Sequence, residues 1–222
     1  MKFLKIKSIK LKILLPLATI FILGVSSVSF ISCFKSNSLL DNNLKKMATT
    51  KAEEISSRVD GLLNSRIRIM EELSRSTEAK ALDINGVERY IAARKAIAKD
   101  FEMFFVSDKS GNITSSTNQK FNISDTDYFK TAMSGQSAIS KPLISKLSGN
   151  TVIIFAVPIT NENNNVAGLI AGTVKLASIT DIINKTNINK GDYAYIIDKN
   201  GLTVSHPDKN KILKENILQS KY

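Results

Sequence analysis

The chain has 222 residues, with 31 Lys and Arg against 20 Asp and Glu for a formal charge of +11, one His and one Cys. That single cysteine, Cys33, excludes an intramolecular disulfide, and one histidine beside it leaves no zinc-ligand cluster, so no metal and no cofactor are expected. Five of the charges are Lys2, Lys5, Lys7, Lys10 and Lys12; without them the surplus falls to +6, spread along the chain and not interleaved with aromatics, which argues against nucleic acid as a partner.

After a basic tail at 1–12, residues 13–34 carry no charged side chain. At about 1.5 Å of rise per residue such a run spans a hydrocarbon core of roughly 30 Å, and the lysines before it predict a cytoplasmic N-terminus. The expectation is a cell-membrane protein, single-pass in this segment, with everything after Lys35 extracytoplasmic. A lipid anchor on Cys33 is the alternative, although Phe30-Ile31-Ser32-Cys33 places a bulky aromatic where a lipoprotein cleavage box has an aliphatic residue.

From 39 to 81, Leu44, Ala48, Ile55, Val59, Leu62, Ile69 and Leu73 recur at helical spacing among polar residues. They predict a long amphipathic helix, roughly 60 Å by its rise, that packs on a following sheet and near the membrane seeks a second copy, making a homodimer. A shorter helix is expected over 86–99. Phe104-Phe105-Val106 then runs into the turn Asp108-Lys109-Ser110-Gly111 and a polar strand at 112–116, a hairpin signature. Asp125-Thr126-Asp127 opens a short helix that stops at Gly135, and strands are expected at 138–147, 152–158 and 168–176. About five strands in a mainly antiparallel sheet follow from the short links.

The hairpin motif returns 90 residues later, in Ala194-Tyr195-Ile196-Ile197-Asp198-Lys199-Asn200-Gly201. A second module of the same design therefore begins near Gly191. Only six residues follow Asn216, too few for its remaining strands, so the sequence reads as truncated.

Several pieces occur in a telling order: Asp127-Tyr128-Phe129-x-x-Ala132-x-x-Gly135, Ser140-Lys141-Pro142, the run 152–159, Gly168-Leu169-Ile170-Ala171-Gly172, Tyr195-Ile196-Ile197-Asp198-x-x-Gly201 and His206-Pro207-Asp208. Over about residues 40–215 this order resembles the double Cache sensor domain of bacterial chemoreceptors, sensor kinases and cyclases. The resemblance implies an α+β chain: a transmembrane helix at 13–34, a stalk helix at 39–81, a PAS-like antiparallel Cache module at 82–188 and an incomplete second module at 189–222. In similar proteins the complete module is membrane-distal and holds a small-molecule ligand against its curved sheet, under the short helix.

Amino-acid-binding members of that family hold the ligand with an Arg, an aromatic pair, a Tyr and two Asp residues, which meet both ends of a zwitterion with charge-assisted hydrogen bonds. Aligned on Ala132, this chain places Thr126 at the Arg, Tyr128 and Phe129 at the aromatic pair, Leu143 at the Tyr, and Ser145 and Thr173 at the Asp positions. The loss of both charge partners argues against a standard amino-acid ligand. Lys141 shares a strand face with Leu143 and Ser145 by period two and offers a positive charge, against the plainer reading of a surface lysine. Tyr128 and Phe129 are read equally as core cover, Asp108 and Asp198 as turn formers, and His206 as a turn residue without a catalytic partner.

The function implied is ligand sensing by a transmembrane chemoreceptor. A histidine kinase or diguanylate cyclase sensor, or a tethered binding protein without output, are the alternatives. No Gly-x-Ser-x-Gly, phosphate loop or His-Glu-x-x-His is present, so an enzyme is not expected.

Overall fold

The computed structural model describes residues 9–94, 99–115, 120–184 and 193–219, and of 9–13, 15, 33, 34, 37 and 184 the backbone alone. The chain divides into two units, Met1–Glu53 and Glu54–Tyr222. One helix, α1 (Ile9–Ser74), supplies the described part of the first unit and enters the second, so the expected anchor and stalk helices are one element. In the first unit Leu17, Ile20, Phe21, Leu23, Val28 and Phe30 are exposed, as are Leu39, Leu40, Leu44 and Met47.

Among the described residues no helix is long and apolar enough to cross a membrane. The expected span of 13–34 lies wholly within α1. Lys2, Lys5 and Lys7 of the basic tail lie outside the described residues.

In the second unit α1 ends at Ser74. Ser76 takes up the chain as the cap of a one-turn helix α2 (Thr77–Lys80), its hydroxyl accepting from the Ala79 amide at 3.1 Å. Helix α3 covers Ile84–Ala92 instead of 86–99, and residues 95–98 of the expected helix lie outside the described residues. The strands are β1 (Met103–Asp108), β2 (Ile113–Ser115), β3 (Ala138–Ile139), β4 (Leu143–Ile144), β5 (Thr151–Thr160) and β6 (Val166–Lys175). They form one antiparallel sheet in the order β2-β1-β6-β5-β3, with β4 also on β5. Helix α4 (Asp127–Met133) precedes β3 and helix α5 (Leu176–Asn184) follows β6 directly. A separate hairpin, β7 (Ile196–Ile197) with β8 (Thr203–Ser205), leads into a 3-10 turn at Lys209–Lys211.

Period-two alternation gives the sheet two buried faces. Phe104, Val106, Ile153, Phe155, Val157, Ile159, Ile170 and Val174 face one core with Ile55, Met70 and Leu73 of α1, Val87 and Ile91 of α3, and Ile179 and Ile183 of α5. Phe105, Val152, Ile154, Ala156, Leu169 and Ala171 face the other, with Tyr128, Phe129 and Ala132 of α4. Gly172 admits α1 to the first face: a Cβ there would meet Phe101 at 2.6 Å and the Met70 sulfur at 2.9 Å.

The strand expected over 138–147 is two strands. Ser140 donates its amide to the Ile154 carbonyl (2.9 Å), accepts from the Ile154 amide through Oγ (2.9 Å), and passes its own hydroxyl proton to the Lys141 carbonyl (2.8 Å). The side chain thus stands in for the ladder, and Pro142 has no amide to resume it. Pairing restarts at Leu143 opposite Val152, so the strand count is six where about five were expected.

The two hairpins share one clamp. Asp108 Oδ1 accepts from the amides of Ser110 (2.9 Å) and Asn112 (3.0 Å), and Asp198 Oδ1 from those of Asn200 (2.8 Å) and Leu202 (2.9 Å). Gly111 and Gly201 both have φ of +83°, the left-handed conformation that glycine takes without penalty. An asparagine then closes each turn: Asn122 donates Nδ2 to the Ser110 carbonyl and accepts from the Ser124 amide, and Asn216 does the same with Asn200 and Leu218. Asn122→Ala is expected to cost about 1 to 2 kcal/mol in chemical denaturation, two hydrogen bonds at roughly 1 kcal/mol each.

Burial works upward on the Asp108 carboxyl, but the hydrogen bonds from the Asn112 side chain and the Asn112, Ser110 and Gly111 amides outweigh it and hold the group below its ordinary 3.8. A depressed carboxylate pKa stabilises the fold above the unfolded value, and this contribution is lost as pH falls through the lower folded value. The stability gap between the native chain and Asp108→Asn should therefore be constant near neutrality and shrink below about pH 3.8, as read by thermal denaturation at stepped pH.

Candidate functional site

Helix α4 is the lid of the second sheet face. Thr126 starts it from an extended conformation (φ −80°, ψ 145°), donating its hydroxyl to the Ile123 carbonyl at 2.7 Å and accepting from the Phe129 amide at 3.4 Å. Asp127 adds a negative charge in the first turn, where the helix dipole favours it. Gly135, at φ +87°, ends it by donating to the Ala132 carbonyl at 2.9 Å. Between these signals Tyr128, Phe129 and Ala132 turn onto the sheet, exposed by only 7, 6 and 0%. Burial raises the Tyr128 phenol above its ordinary pKa, a hydrogen bond with Thr126 working the other way.

Beneath the lid the floor is narrow. Ala138, Ala156 and Ala171 lie in register across β3, β5 and β6, and the row ends on Phe105 of β1. The next row on that face carries Ile154, Thr173 and Met103, with the Thr173 hydroxyl 3.5 Å from the Met103 carbonyl. Phe121, Met133, Leu143 and Leu147 make a partly buried rim. This is a small-residue floor packed under a two-ring lid.

Of the residues singled out in the sequence, Tyr128, Phe129, Leu143 and Thr173 belong to this face. Thr126 caps the lid. Ser145 is buried but engaged, its hydroxyl accepting from the Leu147 and Ser148 amides at 3.2 Å each. Lys141 is exposed and lies on no strand, in the break that Ser140 and Pro142 make between β3 and β4.

Two polar links escaped sequence reasoning. Ser137 donates to Glu71 Oε1 of α1 at 2.8 Å, tying the segment after the lid to the long helix. Glu102 accepts from the side chains of Asn150 and Ser148 and pairs with Lys175 at 3.5 Å, closing the end of the sheet. Separations of 66 and 46–48 residues leave no local signal for either. Among the described residues no group of three or more His, Cys, Asp and Glu could hold a metal ion.

A family model described as Cache domain matches residues 36–221. The methyl-accepting chemotaxis protein PscA of Pseudomonas syringae pv. tomato is 23% identical over 208 residues, covering 91% of this chain and 33% of that protein. The chain thus spans about a third of the length of the curated relatives it matches. The ligand-binding domain of the Pseudomonas aeruginosa amino-acid chemoreceptor PctB, solved with L-Arg, superposes with a TM-score of 0.60 at 20% identity, over 73% of this chain and 70% of that one. That of the Pseudomonas fluorescens chemoreceptor CtaA, solved with L-serine, gives 0.60 at 23% identity, over 79% and 75%. Likeness at this identity establishes the fold.

These structures overturn the expectation that a standard amino acid is disfavoured, since domains of this fold were solved with arginine and serine. Uncharged side chains at Thr126, Ser145 and Thr173 do not by themselves mean lost binding. A zwitterion's ends need hydrogen-bonding groups, which hydroxyls and backbone amides also supply, and positions aligned from one alanine do not find every such group.

Proposed function

The chain belongs to the Cache domain family, and on that premise we propose that it is the extracytoplasmic sensing region of a transmembrane chemoreceptor, taking a small molecule under the α4 lid. The observation that carries the reading is the pairing of an aromatic lid with the alanine row Ala138, Ala156 and Ala171. Binding is non-enzymatic, and the first ligand class to test is the amino acids that the solved relatives contain.

Residues 13–34 anchor the chain with residues 1–12 in the cytoplasm; the exposed apolar side chains Leu17, Ile20, Phe21, Leu23, Val28 and Ile31 support this. Residues 82–188 form the membrane-distal module and 189–222 open the next, a reading supported by the second copy of the Asp-Gly-Asn clamp. Leu39, Leu40, Leu44 and Met47, exposed on α1, support a homodimer seam near the membrane. The Glu71–Ser137 hydrogen bond gives the lid segment a direct hold on α1, so that a lid displaced by ligand shifts the helix leading to the anchor.

Calorimetric titration of the full chain in detergent micelles with the common L-amino acids is expected to give saturable binding for at least one, weakened tenfold or more by Tyr128→Ala. A folded chain that binds none overturns the reading. With a binding amino acid in hand, Glu71→Ala should leave affinity within about threefold while abolishing the ligand-dependent change in hydrogen exchange over residues 54–74 of α1. An unchanged response would show that the lid reaches α1 by another route.

A further inference from the structure

An open cleft lies away from the lid. It has a volume of about 580 Å³ and is walled by the β4–β5 end of the sheet, the first turns of α5 and the segment after β8. Its floor is apolar, with Leu176, Ile212 and Leu213 among the lining residues. Leu213 holds φ of +56°, a conformation that a branched side chain adopts only where the surroundings impose it. The ionic groups around this floor are unbalanced: Lys175, Lys209 and Lys214 line the cleft with one acid, Asp181. Lys175 is paired with Glu102, and no ion pair to Lys209 or Lys214 occurs among the described residues.

His206 adds the directional element. It is 7% exposed and packed edge-on against the Tyr193 ring at 5.2 Å, with Tyr195 at 5.8 Å. Its Nδ1 accepts from the Asp208 amide at 2.9 Å, so the neutral ring carries its proton on Nε2. A buried imidazole that lines the cleft therefore has one donor left over, and no partner for it occurs among the described residues.

The geometry points to a second ligand site in this cleft, for a small organic anion with an apolar body: the carboxylate meets His206 Nε2 and the ammonium groups of Lys209 and Lys214, and the body rests on Leu176, Ile212 and Leu213. Such a ligand bridges α5 to the segment after β8, extending the link that the buried Thr180–Ser205 hydroxyl contact, at 2.9 Å, makes between α5 and β8 itself. The site is independent of the lid and stands or falls without it.

His206 is the only histidine in the chain, so tag-free protein in micelles labelled at histidine Cε1 alone gives one imidazole signal in a carbon-proton NMR spectrum. Sodium benzoate is expected to shift that signal saturably, and neutral benzamide to leave it in place. Lys209→Gln with Lys214→Gln should reduce the benzoate affinity at least tenfold. Ala177→Trp, at an exposed lining position, should block the shift without disturbing the core. No saturable shift with benzoate, an equal shift with benzamide, or a shift that survives Ala177→Trp in folded protein would each overturn the proposal. Tyr128→Ala should leave the benzoate response unchanged, which separates this site from the lid.

Discussion

Gly168→Ala is expected to destabilise the chain by about 3 kcal/mol or more, the upper end of what overpacking costs. Gly168 pairs with Asp108 of β1 and Ile159 of β5 in the middle of the sheet. A Cβ built there would stand 2.2 Å from the Ser107 carbonyl oxygen, a backbone atom that moves only if the β1–β6 ladder opens. Leu82, at 3.2 Å, closes the other direction. At roughly 2 to 4 °C per kcal/mol for a chain of this size, the melting temperature by circular dichroism should fall by about 6 °C or more. Gly61→Ala is the matched control. Gly61 is exposed on α1 with nothing within 4 Å of a built Cβ, so the same change there should stabilise by about 0.5 to 1 kcal/mol. Opposite signs separate steric conflict from backbone entropy, and a neutral result at Gly168 would mean the two strands have slack that the register denies.

Phe155→Ala should cost about 3 to 5 kcal/mol. Phe155 is fully buried at the centre of β5, on the face that meets α1, and its ring stands at 81° to that of Phe101 with centroids 6.2 Å apart. Removing it leaves a cavity between the sheet and Met70, Leu73 and Phe101, which the rigid ladder on both sides of β5 prevents from collapsing. Its neighbours Ile154 and Ala156 point to the opposite face, so the lid contacts are spared. Far-ultraviolet melts should show the loss, while any ligand response under the lid keeps its affinity at temperatures where the variant is folded. Parallel losses of stability and affinity would show that the two faces are not separable.

The elements easiest to read from sequence were those whose instructions are local. Asp108 and Gly111 define a turn within four residues, Thr126 and Gly135 bracket α4, and the apolar runs in 152–158 and 168–176, set off by turn residues, give β5 and β6 with shifts of a few residues. The stripe Ile55, Val59, Leu62, Ile69 and Leu73 does face the sheet, yet the most buried member of that helix is Met70, brought in by Gly172 on a strand about 100 residues away. Ser140 misled the strand assignment because its hydroxyl takes over a ladder bond, an exchange that a period-two pattern does not register. The lid residues Tyr128 and Phe129 were visible. The alanine row was not, since Ala138, Ala156 and Ala171 become neighbours only once three strands are in register.

The two clamps have a consequence for how the chain acquires its shape as it emerges from its N-terminus. Asp108, Ser110, Gly111, Asn122 and Ser124 complete the first among themselves, and Asp198, Asn200, Gly201, Asn216 and Leu218 the second. Strand β1 must wait for β6, some 60 residues later, for its long ladder. A turn that fixes its own register early lowers the cost of that wait, because loop closure is then paid for an already ordered edge. Each hairpin is a ratchet tooth: it holds what has emerged in one register while the rest of the sheet is still to come.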